Sequence, residues 1–471
     1  MQKLKRFLNV ILLFISIIAI NFFTANLLQA QQWTSSADGL LQFAKTTITK
    51  LPNANSIPGS AIKIKVDAGK TFQTMEGFGY GLTGGSAQLI HALPKAQRAQ
   101  LLKEIFGQSE ADLGVSYIRI SIGASDLDAA VFSYSDLPKG ETDSALTHFS
   151  LSQDTLHLIP ILKEVLAINP SLKIMASPWS PPTWMKTNGI SMGGHLLKKY
   201  YATYANYFVK YISAMEANGI KLHSITMQNE PEHGGNNPSL LMDAGEQTEF
   251  LRDYLGPQLK EAKINIEVVL YDHNADHPNY PIAILNDAKA KSFAAATAFH
   301  LYLGKEEALS EVHALHPDKK IYFTEQWTGA KGSFDGDFLW HLDHIVIGTI
   351  QNWSSVVLEW NLANNAKFEP HTPLGCTECK GAFTIQDGII NRNVSYYIIG
   401  QIAKFIKPGA IRTLSSVSDA SLATTSFNLK NGKKAIIILN KSAAKQIVLE
   451  QNNQYYTFNI PAKAASTIIW P

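Results

Sequence analysis

The chain has 471 residues, 45% of them hydrophobic and 17% charged, which is enough apolar material for a full core and excludes a disordered polymer. With 41 basic residues against 39 acidic ones, it offers no electrostatic footprint for nucleic acid, so an uncharged substrate is expected. The length suits one large domain plus a smaller one.

Residues 1–30 read as a leader. Lys3, Lys5 and Arg6 precede the apolar run Phe7 to Ile20, and Leu28-Gln29-Ala30 closes the segment on a small residue. A cleaved signal peptide is expected rather than a retained anchor. Cleavage removes three of the 41 basic residues and leaves 38 against 39 acidic ones. The mature chain is then expected in the periplasm or secreted, with no membrane attachment. Residues 31–74 are expected to contribute strands to a later sheet, chiefly through the alternating stretch Ala61 to Phe72.

Between residues 75 and 408 short apolar runs alternate with helical patterns, which signals repeated βα units. Candidate strands are Gly77 to Tyr80, Tyr117 to Ile122, Lys173 to Ala176, His223 to Gln228, Ile266 to Tyr271, Ala294 to His300, Ile321 to Thr324 and Val356 to Trp360. Eight such runs predict an α/β fold, a (β/α)8 TIM barrel. Helices are expected over Ser152 to Ile168 and Leu196 to Ala217, the second with a core-facing stripe of Tyr201, Tyr204, Phe208, Tyr211 and Ile212. Residues 409–471 change to strands with polar turns: Leu422 to Leu429, Ala435 to Asn440, Tyr455 to Ile460 and Ser466 to Trp470. A small attached β-sandwich domain is expected there.

The only cysteines, Cys376 and Cys379, lie in Gly-Cys-Thr-Glu-Cys-Lys-Gly. In an exported chain a local disulfide is expected; free thiols and metal or redox chemistry are the alternatives, although zinc would need two further ligands.

In a barrel, function gathers at the C-terminal ends of the strands. The run Gln228-Asn229-Glu230-Pro231 follows the fourth candidate strand, and Thr324-Glu325-Gln326-Trp327 follows the seventh. Two facing carboxylates are what glycoside hydrolysis needs: one protonates the leaving oxygen, and the other attacks the anomeric carbon or activates water. The loop from Ala176 through Trp179 and Trp184 to Asn188 offers apolar platforms and amides for a sugar. Asp272, His273, Asn274 and His277 could ligate a metal, but their spacing fits no zinc pattern, and no metal or cofactor is expected. A carbohydrate-binding protein without catalysis is the reading from another class.

Seven segments taken together resemble glycoside hydrolase family 30, which contains lysosomal glucosylceramidase and bacterial and fungal β-1,6-glucanases. They are Glu76-Gly-Phe-Gly79, Tyr117-Ile-Arg119-Ile, the Ser-Pro-Trp179 loop, Gln228-Asn229-Glu230-Pro231, His300-Leu-Tyr302, Thr324-Glu325 and Trp360-Asn361-Leu-Ala. The resemblance implies a retaining hydrolase with Glu230 as acid/base and Glu325 as nucleophile. It also implies that Asn229 binds the sugar 2-hydroxyl, that Arg119 supports the nucleophile, that Trp179 and Trp360 flank the sugar and that Tyr302 lies near the nucleophile. Trp327 is a further substrate-facing aromatic, and His300 is either a brace or a substrate contact. Glu325 is expected to be held ionised by Arg119, and the Glu230 pKa to be raised. Gly84 stands where the glucosylceramidase branch is expected to carry an aspartate, which suggests a more open site. The run Glu232 to Pro238 and the Cys376 to Cys379 loop look like the bacterial β-1,6-glucanase branch. The expected substrate is therefore a neutral β-1,6-glucan cut in an endo manner, with exo cleavage of glucosylceramide or a β-glucoside as the alternative.

Overall fold

The computed structural model describes residues 29–471. The expected leader therefore lies outside the described residues, apart from Gln29 and Ala30. The chain divides into two compact units, Phe72–Ala410 and a second one made of residues up to Thr71 together with Ile411–Pro471.

The larger unit is a closed barrel of eight parallel strands. They are β1 (Gly77–Gly81), β2 (Tyr117–Ile122), β3 (Lys173–Pro178), β4 (Ser224–Thr226), β5 (Glu267–Ala275), β6 (Ala294–Gly304), β7 (Lys320–Glu325) and β8 (Ser354–Asn361). Each pairs with its neighbours in chain order and β8 closes on β1, with Val356 opposite Gly77. The strands are buried nearly end to end because helices cover the outer face while side chains fill the inside. Tyr117, Met175, Val269, Ala296, Tyr322 and Leu358 form part of that filling. Gly79 is required by the closeness of β1 and β2, since a Cβ there would lie 2.0 Å from the carbonyl oxygen of Tyr117.

At the N-terminal ends of the strands Glu76 is gripped by Lys173 at 2.8 Å and by Lys320 at 2.6 Å, and Tyr322 donates to Glu267 at 2.7 Å. This network closes the floor of the barrel. The expected first helix begins later than the pattern implied, at Leu158, after turns over 152–157. Helix Tyr201–Ala217 buries Tyr201, Tyr204, Tyr207, Phe208, Tyr211 and Met215. Tyr134 stacks on Tyr211 with centroids 5.4 Å apart, which assigns the aromatic stripe to packing.

The smaller unit is a ten-stranded sheet whose two layers enclose Ile64, Val66, Ile436, Ile438, Ile447, Leu449 and Trp470. Strand Ile62–Thr74 enters it in parallel with Lys445–Gln451, Ile64 facing Leu449. Gln31–Ser36 pairs with the last strand, Gln31 opposite Ile469. The fold is thus a TIM barrel with a β-sandwich. No helix among the described residues is long and apolar enough to cross a membrane.

Candidate active site

The C-terminal ends of the strands surround a cavity of ≈ 490 Å³, lined among others by Asp126, Trp179, Glu230, Tyr302, Glu325, Trp327 and Trp360. Glu325 ends β7, where the strand pairing delivers it directly to the mouth. Glu230 reaches the same place differently. It lies past the short β4 in a left-handed conformation, φ 46°, a strain of roughly 1–3 kcal/mol for a residue with a Cβ. Backbone bonds hold it there: its N–H donates to the Asp272 carbonyl at 3.0 Å, and its carbonyl accepts from His233 N–H at 2.9 Å.

One carboxylate oxygen of Glu230 and one of Glu325 lie within 4.8 Å of each other, with His300 between them. Beneath the pair sits Arg119, fully buried. Its Nη1 donates to Glu325 Oε2 at 2.7 Å, and its Nη2 donates to Asp272 Oδ2 at 2.7 Å and Asn229 Oδ1 at 2.6 Å. The guanidinium carbon lies 4.8 Å from the Trp179 ring centroid and 5.6 Å from that of Trp360, and the two indoles stack on each other at 5.3 Å. Tyr302 donates its hydroxyl to Glu325 Oε1 at 3.0 Å. The buried Nε1 of Trp179 has no hydrogen-bond partner among the described residues.

His300 has a carboxylate at each ring nitrogen: Nδ1 is 3.2 Å from Glu230 Oε1, and Nε2 is 3.2 Å from Asp272 Oδ1. Burial opposes its charge, but Glu325, Asp272 and Glu230 outweigh burial and push the imidazole up to about 9. This reverses the expected pattern for the two glutamates. Burial raises Glu230, yet the hydrogen bond and charge of His300 overcome it and draw Glu230 below the ordinary range. Burial and the Glu230 charge hold Glu325 above that range, against His300 and Arg119. Burial likewise opposes the charge of Asp272, but Arg119 and His300 keep it far below the ordinary range.

All nine expected site residues meet here: Glu230 and Glu325, with Asn229, Trp179, Tyr302, Trp360, Arg119, His300 and Trp327 around them. Two other loop residues do not. Trp184 donates to the Ser135 carbonyl at 2.8 Å and packs on Tyr200, and Asn188 turns back to the Met192 carbonyl. Of the residues weighed as metal ligands, Asp272 pairs with Arg119, Asn274 accepts from Tyr302 N–H at 3.0 Å, and His273 and His277 face one Glu232 oxygen at 3.9 and 2.9 Å.

The structure brings to the site groups that were not among the expected catalytic and sugar-binding residues. Asn236 donates to Glu230 Oε2 at 3.2 Å, and His233 and His273 line the cavity. Asp126, just past β2, is buried at the wall, and burial together with the charges of Glu325 and Glu230 pushes it up to about 7. A Cβ at Gly84 would lie 1.7 Å from Asp128 Oδ1, so an acid there would require the Asp128 side chain to move, and the cavity carries a further carboxyl from Asp126. Cys376 and Cys379 form a disulfide that lines the same wall.

A parallel barrel with two carboxylates in reach of one atom at its mouth, flanked by tryptophans, defines a glycoside hydrolase. Residues 75–406 match the glycosyl hydrolase family 30 TIM-barrel domain and residues 409–468 the β-sandwich domain of that family. The chain belongs to glycosyl hydrolase family 30. It is 30% identical to an endo-1,6-beta-D-glucanase of Neurospora crassa over 94% of this chain and 92% of that one. Identity to the lysosomal acid glucosylceramidase of Mus musculus is 27%, over 82% and 78% of the two chains. A solved endo-beta1,6-glucanase superimposes with a TM-score of 0.87 at 32% identity, covering 94% of this chain and 99% of the other.

Proposed function

We propose that this chain is a retaining endo-β-1,6-glucanase in which Glu325 is the nucleophile and Glu230 the acid/base. The observation that carries the reading is the approach of one Glu230 oxygen to one Glu325 oxygen within 4.8 Å, since closely spaced carboxyls favour attack by the carboxylate itself over activation of an intervening water. The linkage rests on the likeness to the fungal and solved β-1,6-glucanases.

In the first step a Glu325 oxygen bonds to the anomeric carbon as the bond to the leaving oxygen breaks, and Glu230 delivers a proton to that oxygen. In the second step water attacks the same carbon, loses its proton to Glu230 and expels the Glu325 carboxylate. Arg119 and Tyr302 put a donor on each Glu325 oxygen, so they bind its ionised form. The proton that Glu230 delivers is held in the free site by His300, 3.2 Å away, and crosses to Glu230 Oε1 as substrate displaces water. Asn229, fixed by Arg119, and the unpartnered Trp179 Nε1 supply hydrogen bonds to sugar hydroxyls.

A second reading, exo cleavage of glucosylceramide, is favoured by two apolar rim residues, Leu303 at 59% and Leu374 at 74% exposure. Chromatography of the products from β-1,6-glucan, β-1,3-glucan, xylan and glucosylceramide tests both. Oligosaccharides from the β-1,6 polymer support the glucanase, whereas release of ceramide alone would replace it with the second reading. Export by cleavage of the leader at residues 1–30 completes the proposal and is checked by N-terminal sequencing of the protein recovered outside the cytoplasm.

A further inference from the structure

Around the mouth, the way from Glu230 past the end of β4 to Glu325 on β7 through β3, β2, β1 and β8 passes Trp179, Asp126 and Trp360. The wall on that side is completed by the segment after β8. Part of this segment is well anchored. Thr372 N–H donates to the Asp126 carbonyl at 2.9 Å, Asn237 Nδ2 donates to the Pro373 carbonyl at 2.8 Å, and Gly375 is pressed so close that a Cβ would lie 2.3 Å from the Asp126 carbonyl oxygen. On its far side Cys379 pairs with Gly329, and its carbonyl accepts from Asn364 Nδ2 at 2.8 Å.

Residues 376–378, between these anchors, belong to no helix or strand. Their one contact with the wall's ionisable group is Cys376 N–H, which donates to Asp126 Oδ2 at 3.2 Å. Their apolar contribution is the disulfide itself, which packs with Leu127, Trp179, Trp327 and Trp360. The covalent bridge ties Cys376 to the anchored Cys379 and so fixes where that N–H points. Opening it frees the Cys376 N–H to turn away from Asp126 Oδ2 and the sulfurs to leave the tryptophans.

We propose that the Cys376–Cys379 disulfide is a positioning element of the sugar-binding wall, holding Asp126 and the Trp179–Trp360 pair for a neutral glucan without taking part in bond cleavage. The inference rests on the hydrolase reading above. Its distinguishing consequence is a change in KM and not in kcat.

The test uses the mature protein with β-1,6-gluco-oligosaccharides and 4-nitrophenyl β-glucoside, before and after treatment with a phosphine that opens the S–S bond to two thiols and is itself oxidised. Thiol titration counts the two sulfhydryls, and Cys376→Ser/Cys379→Ser serves as a second route to the open loop. The expected result is a rise in oligosaccharide KM of about tenfold, equivalent to ~1.4 kcal/mol, with kcat within about twofold. In Asp126→Ala the same reduction is expected to raise KM by less than in the parent, because the acceptor of the Cys376 N–H is gone and only the packing on the tryptophans remains to be lost. An unchanged KM in protein with two titratable thiols would overturn the proposal. So would a fall in kcat with KM constant, or an equal KM change in Asp126→Ala. If the oxidised protein cleaves no β-glucoside, the hydrolase reading falls and this one with it. If it cleaves them equally in both redox states, only this one falls.

Discussion

Arg119→Met is the most informative single change, because one side chain holds three parts of the site. The substitution keeps an unbranched chain of similar length and removes the charge. It deletes the 2.7 Å bonds to Asp272 and Glu325 and the 2.6 Å bond to Asn229, all beneath fully buried surface. Removing one partner of a buried charge cluster leaves the other charges uncompensated and costs about 3–5 kcal/mol. Spread over the unfolding entropy of Phe72–Ala410 at ~2.1 cal/mol/K per residue, that loss lowers Tm by about 4–7 °C. The assay is calorimetry at pH 7, run beside Arg119→Met/Asp272→Asn. The double variant lacks the buried Asp272 charge and is expected to recover at least half of the loss. A shift below about 1 °C, or a double variant less stable than the single one, would refute the view that Arg119 compensates these carboxylates.

The remaining predictions concern the chemistry and its pH dependence. Glu325→Gln is expected to reduce kcat below about a thousandth of the parent value on every substrate, as measured by reducing-end release. Glu230→Ala is expected to lose roughly 10²–10⁴ in rate on glucan but far less on an aryl glycoside whose leaving group needs no proton, a contrast read by comparing the two substrates. His300 is raised in the folded state to about 9, so its stabilising contribution is complete below about pH 6.5 and is lost as pH rises through about 9. In His300→Asn the decline of Tm over that window is expected to flatten, and an identical decline would remove His300 as its cause. Asp126, held at about 7, is expected to lower KM as pH rises through that value by turning into an ionised acceptor for sugar hydroxyls. That step is expected to vanish in Asp126→Asn.

What the sequence made legible follows from how each residue is placed. The barrel strands could be read because helices cover their outer face, so that each is a nearly continuous apolar run ending in polar residues. Glu325 and Glu230 announced themselves as carboxylates immediately after such runs. Asp126 did not, because the chain leaves β2 through Gly123 at φ 76° and enters Ser125-Asp126-Leu127-Asp128, which has the composition of a turn. Asp128 is in fact a turn residue, accepting Ser125 N–H and Oγ–H at 2.7 Å each, and nothing in the sequence separates it from the acid two residues earlier that faces the cavity. The strands Ile411–Val417 and Lys445–Gln451 were missed because Arg412-Thr-Leu-Ser-Ser and Lys445-Gln lack a sustained apolar alternation.

The reversed pKa pattern was illegible for a stronger reason. Pairing Arg119 with Glu325 and leaving Glu230 to be raised by repulsion is a sound argument for three charges. The site contains five, and the outcome turns on His300, whose two ring nitrogens face Glu230 and Asp272 only after β4, β5 and β6 have closed side by side. A motif therefore identifies which residues share the proton, whereas where the proton rests is a property of the assembled barrel. That distinction makes the pH dependence of His300→Asn a test of the mechanism that the activity of the glutamate variants cannot replace.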